Sequence, residues 1–213
     1  MSKSAPLPVR HLAVTDLTCL RGGTTIFANL GFSAEPGTVT LLRGPNGAGK
    51  TSLLLCLAGI LRPEAGTIAW SGRDAEERPS TDMHLVGHQP ALKGGLTAAE
   101  NLQFWAEINS GDPNLIEGAL DNAGLSHAAH LETRLLSAGQ TRRLALARLL
   151  VARRPVWLLD EPTAALDSQG DKWVASLIEE QIGAGGLVIA ATHLDLALKK
   201  SRSVRTLKLG PGK

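Results

Sequence analysis

The sequence predicts an α/β fold that carries a helical insertion. Short β-rich apolar runs, punctuated by Gly and Pro, fill the first seventy residues or so. Residues 97–151 carry helical periodicity with caps. Beyond Pro155, short fully apolar runs alternate with a helical run, the pattern of an α/β core.

Residues 11–19, 24–32 and 38–42 read as strands, with Gly22-Gly23 and Pro36-Gly37 as the turns between them. Residues 49–60 read as a mostly buried helix, ended by Gly59 and Pro63. Residues 67–71 and 84–87 are short strands. Thr97 is a helix cap with Glu100 at the capping-box position, and Gly111-Asp112-Pro113 splits the run 97–124 into two helices. Ser137 caps another helix through Val151, with Leu144, Leu146, Leu149 and Leu150 as its apolar residues; Pro155 stops it. Residues 156–159 form a buried strand, 167–182 a helix, 183–186 a turn, 187–192 a second buried strand and 204–209 a last, exposed one. Residues 1–213 are expected to form one domain, with a helical subdomain at about 89–153.

Composition narrows the function classes. With 43% apolar and 20% charged residues in 213, the chain has an ordinary globular balance. A net charge of +2 gives no electrostatic footprint for nucleic acid, so no nucleic-acid partner is expected. The two cysteines, Cys19 and Cys56, lie outside any CxxC, which argues against a disulfide framework or a zinc site. The longest strongly apolar stretch, 53–61, stops at Arg62, whereas a spanning helix needs ~20 apolar residues. Residues 1–10 have no apolar core of the kind a secretory signal carries, so none is expected.

The chemistry begins at Gly44-Pro45-Asn46-Gly47-Ala48-Gly49-Lys50-Thr51, followed by Ser52. This fits the P-loop pattern G-x4-G-K-[ST] between a strand and a helix. Its glycines let backbone N–H groups turn toward phosphate oxygens, and the helix adds the positive end of its dipole. Lys50 would reach the β- and γ-phosphates, and the Thr51 hydroxyl would bind Mg²⁺. At the end of the apolar strand Val156-Trp157-Leu158-Leu159 stand Asp160 and Glu161. Asp160 suits the Mg²⁺ side, and Glu161 can polarise the water that attacks the γ-phosphate.

Leu136-Ser137-Ala138-Gly139-Gln140 then resembles the signature of ATP-binding-cassette ATPases, written LSGGQ, with Ala138 departing at the third position. Gln89 resembles the Q-loop glutamine, Ala165-Leu166-Asp167 the D-loop, and His193 the switch histidine, all in the family's order. The resemblance spans essentially the whole chain. It implies an ABC-ATPase core with an antiparallel β subdomain, ATP and Mg²⁺ as ligands, and two copies dimerised head to tail with ATP between them. In that arrangement Ser137, Gly139 and Gln140 face a nucleotide on the partner's P-loop, with the D-loop Asp167 among the nucleotide-site residues. Glu161 orients or deprotonates water, His193 contacts the γ-phosphate, and Gln89 senses Mg²⁺ and the attacking water. The family commonly stacks adenine on an aromatic near the end of the first strand. Residues 17–23 hold none, and Arg21 occupies that region. A guanidinium can stack on a base; a solvated turn arginine is the alternative, and base selectivity stays open between ATP and GTP.

Family logic also implies separate integral membrane permease subunits and a peripheral place on the cytoplasmic face of the bacterial inner membrane. Leu92, Leu96, Phe104 and Trp105 are apolar candidates for the docking groove, with Leu102 and Phe104 read instead as local core. Within the family, Arg43-Gly44-Pro45-Asn46-Gly47, Gly87-His88-Gln89-Pro90 and the Leu-Ser-Ala-Gly-Gln variant resemble the ATPase subunit of the haem exporter of bacterial cytochrome c maturation. A cassette for another export substrate, lipid or drug, and a soluble iron–sulfur assembly ATPase are the alternatives. His127 and His130 read as a solvated face rather than haem or metal ligands.

Overall fold

The computed structural model describes residues 10–71, 82–196, 198 and 203–210. Residues 1–9, which bear on the expectation of no secretory signal, lie outside the described residues.

Two sheets organise the chain. Strands β1 (His11–Arg21), β2 (Thr24–Ala34) and β4 (Ala65–Ser71) form an antiparallel sheet in the order β2-β1-β4. β1 buries Leu12 and Val14, then Leu17 and Cys19, so the alternation slips one place. The slip is a bulge at Asp16, whose φ of 50° lets the strand keep the same face inward on both sides. A second sheet is wholly parallel, in the order β5-β6-β7-β3-β8, from β3 (Val39–Arg43), β5 (Met83–Val86), β6 (Val156–Asp160), β7 (Leu187–Ala191) and β8 (Val204–Lys208). β6 and β7 are buried at every residue, because both faces of this sheet are covered.

Three apolar cores follow. Helix α1 (Lys50–Leu57) lies between the sheets, where Leu53, Leu54 and Leu57 meet Leu12 and Leu17 on one side and Leu158 and Ile189 on the other. The opposite face of the parallel sheet, including Leu41, Trp157, Leu159 and Val188, is covered by α4 (Ala138–Val151) and α5 (Ser168–Gly183). Helices α2 (Ala98–Ile108) and α3 (Ile116–Asn122) pack with α4 around Leu102, Leu120 and Leu144. α4 serves two cores at once, and this explains why even Arg142 and Arg148 are buried on it.

Most expected elements are present with shifted ends. The Thr97–Glu100 capping box closes in both directions. The break at Gly111 has a steric cause as well: a Cβ there would run into the Val151 carbonyl. One expectation changes. Phe104 is only half-buried and stands outside the helical core, with Lys93 Nζ 3.7 Å above its ring, whereas Leu92 and Trp105 pack against that core. The cysteines, distant in sequence, come together in the core beneath β1 and α1 as free thiols; burial and the neighbouring Cys19 thiol push Cys56 up to about 12. His127 and His130 are both exposed. No helix among the described residues is long and apolar enough to cross a membrane.

Candidate functional site

The loop after β3 is shaped by its glycines. Gly44 turns where a Cβ would strike the Leu209 carbonyl, and Gly49, at φ 90°, lies against Ile26 and Phe27. Ala48 anchors the loop from behind by packing into the first core. α1 therefore begins at Gly49 with no side-chain cap, so its first backbone N–H groups face the loop without a side-chain partner. Lys50, only 8% exposed, donates from Nζ to the Gly44 carbonyl at 2.8 Å and the Pro45 carbonyl at 3.0 Å. The ammonium is thus folded back onto the loop's own carbonyls.

Asp160 ends β6, an interior strand of the parallel sheet, and is 4% exposed. Thr51 Oγ1 donates to Asp160 Oδ2 at 2.8 Å. A hydroxyl and a carboxylate meeting beside a phosphate cradle form a hard oxygen pair, the donor chemistry Mg²⁺ takes together with phosphate oxygens and water. At Glu161 the chain turns through φ 47°, and its N–H donates to the Ala191 carbonyl at 2.8 Å. That turn directs the side chain toward the segment after β7, where His193 Nδ1 lies 3.0 Å from Glu161 Oε2. A carboxylate accepts, so this contact requires the tautomer with the proton on Nδ1.

These groups share a cleft of about 520 Å³, lined by Arg21, Asn46, Gly47, Gly49, Lys50, Thr51, Ser52, Asp160, Glu161 and His193, together with Ile26, His88 and Ala164. Of the sequence candidates, Gly44, Pro45 and Ala48 shape the loop without lining the cleft. Gln89 does not line it either; its neighbour His88 does, and Gln89 is exposed. The signature residues lie elsewhere. Ser137 Oγ accepts from the Gln140 N–H at 3.2 Å while Gln140 Oε1 accepts from the Ser137 N–H at 2.9 Å, a capping box at the start of α4. Ser137, Gly139, Gln140 and Asp167 line a separate cleft of about 360 Å³ that shares no residue with the first. Asp167 caps α5 by accepting from the Gly170 N–H at 2.7 Å.

Sequence reasoning missed two arginines. Arg43 donates from Nη1 to the Thr192 carbonyl at 3.0 Å and from Nη2 to Asp195 Oδ1 at 2.8 Å, bracing the segment that carries His193. Its signal was a charge at the end of an otherwise apolar strand. Arg142 is 5% exposed and bonded to four backbone carbonyls. Nothing in its local sequence announces that.

The family model for the ABC transporter matches residues 27–164. The chain is 47% identical over 194 residues to the cytochrome c biogenesis ATP-binding export protein CcmA of Rhodopseudomonas palustris strain BisB5, covering 91% of this chain and 95% of that one. It is 50% identical over 187 residues to the protein of the same name from Bradyrhizobium diazoefficiens, covering 88% and 93%. Among solved structures, a Pyrococcus furiosus protein described as an ABC transporter ATP-binding protein superposes with a TM-score of 0.80 at 23% identity, covering 93% of this chain and 97% of that one, a likeness of fold.

Proposed function

The chain belongs to the ABC transporter family, as its ATP-binding cassette, and on that premise we propose that it is the ATP-hydrolysing subunit of a cytochrome c biogenesis exporter that drives haem export. The observation that supports the cytochrome c assignment is identity of 47% and 50%, across nearly all of the chain, to export proteins of that process. The exposed pair His127 and His130 has no part in this reading, so haem would be handled by membrane partners.

The chemistry follows from the first cleft. Nucleotide phosphates enter the loop 44–49, and Lys50 exchanges its Gly44 and Pro45 carbonyls for phosphate oxygens. Thr51 and Asp160 are the residues that would hold Mg²⁺, which supplies charge neutralisation at the β- and γ-oxygens when bound. Glu161 orients water and accepts its proton as the γ-phosphate is attacked. His193, paired with Glu161, contacts the γ-phosphate and keeps the acid aimed. Gln89, exposed and outside the cleft lining, would sense Mg²⁺ and the attacking water as the family resemblance implies. Arg21, on the cleft wall beside Ile26, is the candidate platform for the base.

Ser137, Gly139, Gln140 and Asp167 serve the nucleotide of a second copy, giving a homodimer with two ATP molecules between its halves. The cassette docks through its helical subdomain on separate integral membrane permease subunits, peripheral to the cytoplasmic face of the inner membrane. The test is a pull-down of the tagged chain from detergent-solubilised membranes with partners identified. Recovery of permease subunits whose loss stops cytochrome c maturation is expected. Recovery with a lipid or drug permease, or with soluble iron–sulfur scaffold proteins, would overturn the assignment.

A further inference from the structure

Arg142 lies on α4, in the second turn after the Ser137 cap. Its guanidinium is spent on backbone. Nε donates to the Pro162 carbonyl at 3.1 Å, Nη1 to the Gly87 carbonyl at 2.8 Å, and Nη2 to the Asp160 and Glu161 carbonyls at 2.6 and 2.7 Å. Successive carbonyls of a strand point in alternate directions. Those of residues 160, 161 and 162 converge on one side chain because the chain turns at Glu161, where φ is 47°. A non-glycine residue holds that conformation only when its surroundings over-determine it. Here the surroundings are the Glu161 N–H bond to Ala191, the Ala164 N–H bond to the Glu161 carbonyl at 3.0 Å, and the planar fork of Arg142. Burial pulls the guanidinium below its usual range, and the Asp160 and Glu161 carboxylates pull it back up, so the cation is held in place by the site it supports.

We propose that Arg142 is a positioning residue for hydrolysis: by bonding the carbonyls of residues 160–162 it holds the turn that aims the Glu161 carboxylate at His193. It touches neither nucleotide nor water. This rests on Glu161 acting as the base, and the two claims separate by experiment. A Lys at this position keeps a charge but lacks a planar fork, and a Gln keeps at most two donors.

The experiment measures steady-state ATP hydrolysis by the full chain, affinity for a fluorescent ATP analogue, and thermal unfolding, for wild type, Arg142→Gln, Arg142→Lys, Glu161→Gln and the double variant Arg142→Gln/Glu161→Gln. Both Arg142 variants should lose ~10²-fold in kcat, the scale of a misplaced catalytic group. KM and analogue affinity should stay within about twofold, because Lys50 and Thr51 stand on another element. The double variant should be no slower than Glu161→Gln alone, since the two residues act as one unit. Unchanged kcat in folded Arg142 variants, or rate losses that multiply in the double variant, would overturn the proposal. So would loss of the fold in both Arg142 variants, which would make Arg142 a determinant of the core instead. Full turnover by Glu161→Gln would instead defeat the underlying reading of the base, whatever Arg142 does.

Discussion

Lys50 and Glu161 show how single side chains divide the chemistry. Lys50 is nearly buried and already bonded, so in the proposed role its affinity for phosphate would come from exchanging two neutral acceptors for charged ones. Lys50→Ala should abolish measurable binding of a fluorescent ATP analogue. Glu161→Gln keeps the shape of the acid and removes its basicity. It should lower turnover by at least ~10²-fold while leaving analogue affinity intact. Arg21→Ala tests base recognition: if the guanidinium stacks on the base, affinity for ATP and GTP should fall together, and an unaffected variant with strict ATP dependence would remove Arg21 from the site. At this scale the sequence was most legible where residue type and spacing are jointly demanded by phosphate, as for Lys50, Thr51, Asp160 and Glu161. Arg142 was illegible because its role depends on where three carbonyls from another element turn. Gln89 and His88 differ by one place, and only the path of the chain after β5 decides which one faces the cleft.

The helices begin where their caps predicted. Thr97 accepts from the Glu100 N–H while Glu100 accepts from the Thr97 N–H and hydroxyl, and those bonds hold the Glu100 carboxyl below its usual range. Thr97→Ala should lower stability by about 1 kcal/mol in urea unfolding. α4 carries a second capping box, yet it opens on a cleft rather than on solvent alone, and Gly139 lies tight against the Ala165 carbonyl. Capping chemistry was readable because it is local. The bulge at Asp16 and the extension of β1 to Arg21 were not, since both come from pairing with β2 and β4. For the same reason Phe104 and Trp105, adjacent on α2, could not be sorted between core and surface from periodicity alone.

Across the whole molecule, burial of charge and of titratable groups tunes stability. His84 is buried on β5 beside Arg148 and Arg154, with Nε2 2.5 Å from the Ala152 carbonyl, and burial lowers it from 6.5 to about 4. The folded chain keeps this ring neutral down to about pH 4, whereas the unfolded chain protonates it near 6.5. The unfolded state therefore binds the extra proton between those values, and stability falls as pH drops through that window, by about 3 kcal/mol at pH 4. His84→Gln should lack this component, so its urea midpoint should fall less than that of wild type between pH 7 and 4. The larger feature is that the P-loop cleft and the signature cleft share no residue. The order of motifs in the chain implied two half-sites through the family; the separation of the clefts is the observation that supports the proposed second copy. Sedimentation of the Glu161→Gln chain with ATP and Mg²⁺ tests this directly. A species of twice the monomer mass is expected with ATP, and a monomer with ADP or when Ser137→Arg is added. A monomer at saturating, demonstrably bound ATP would contradict it.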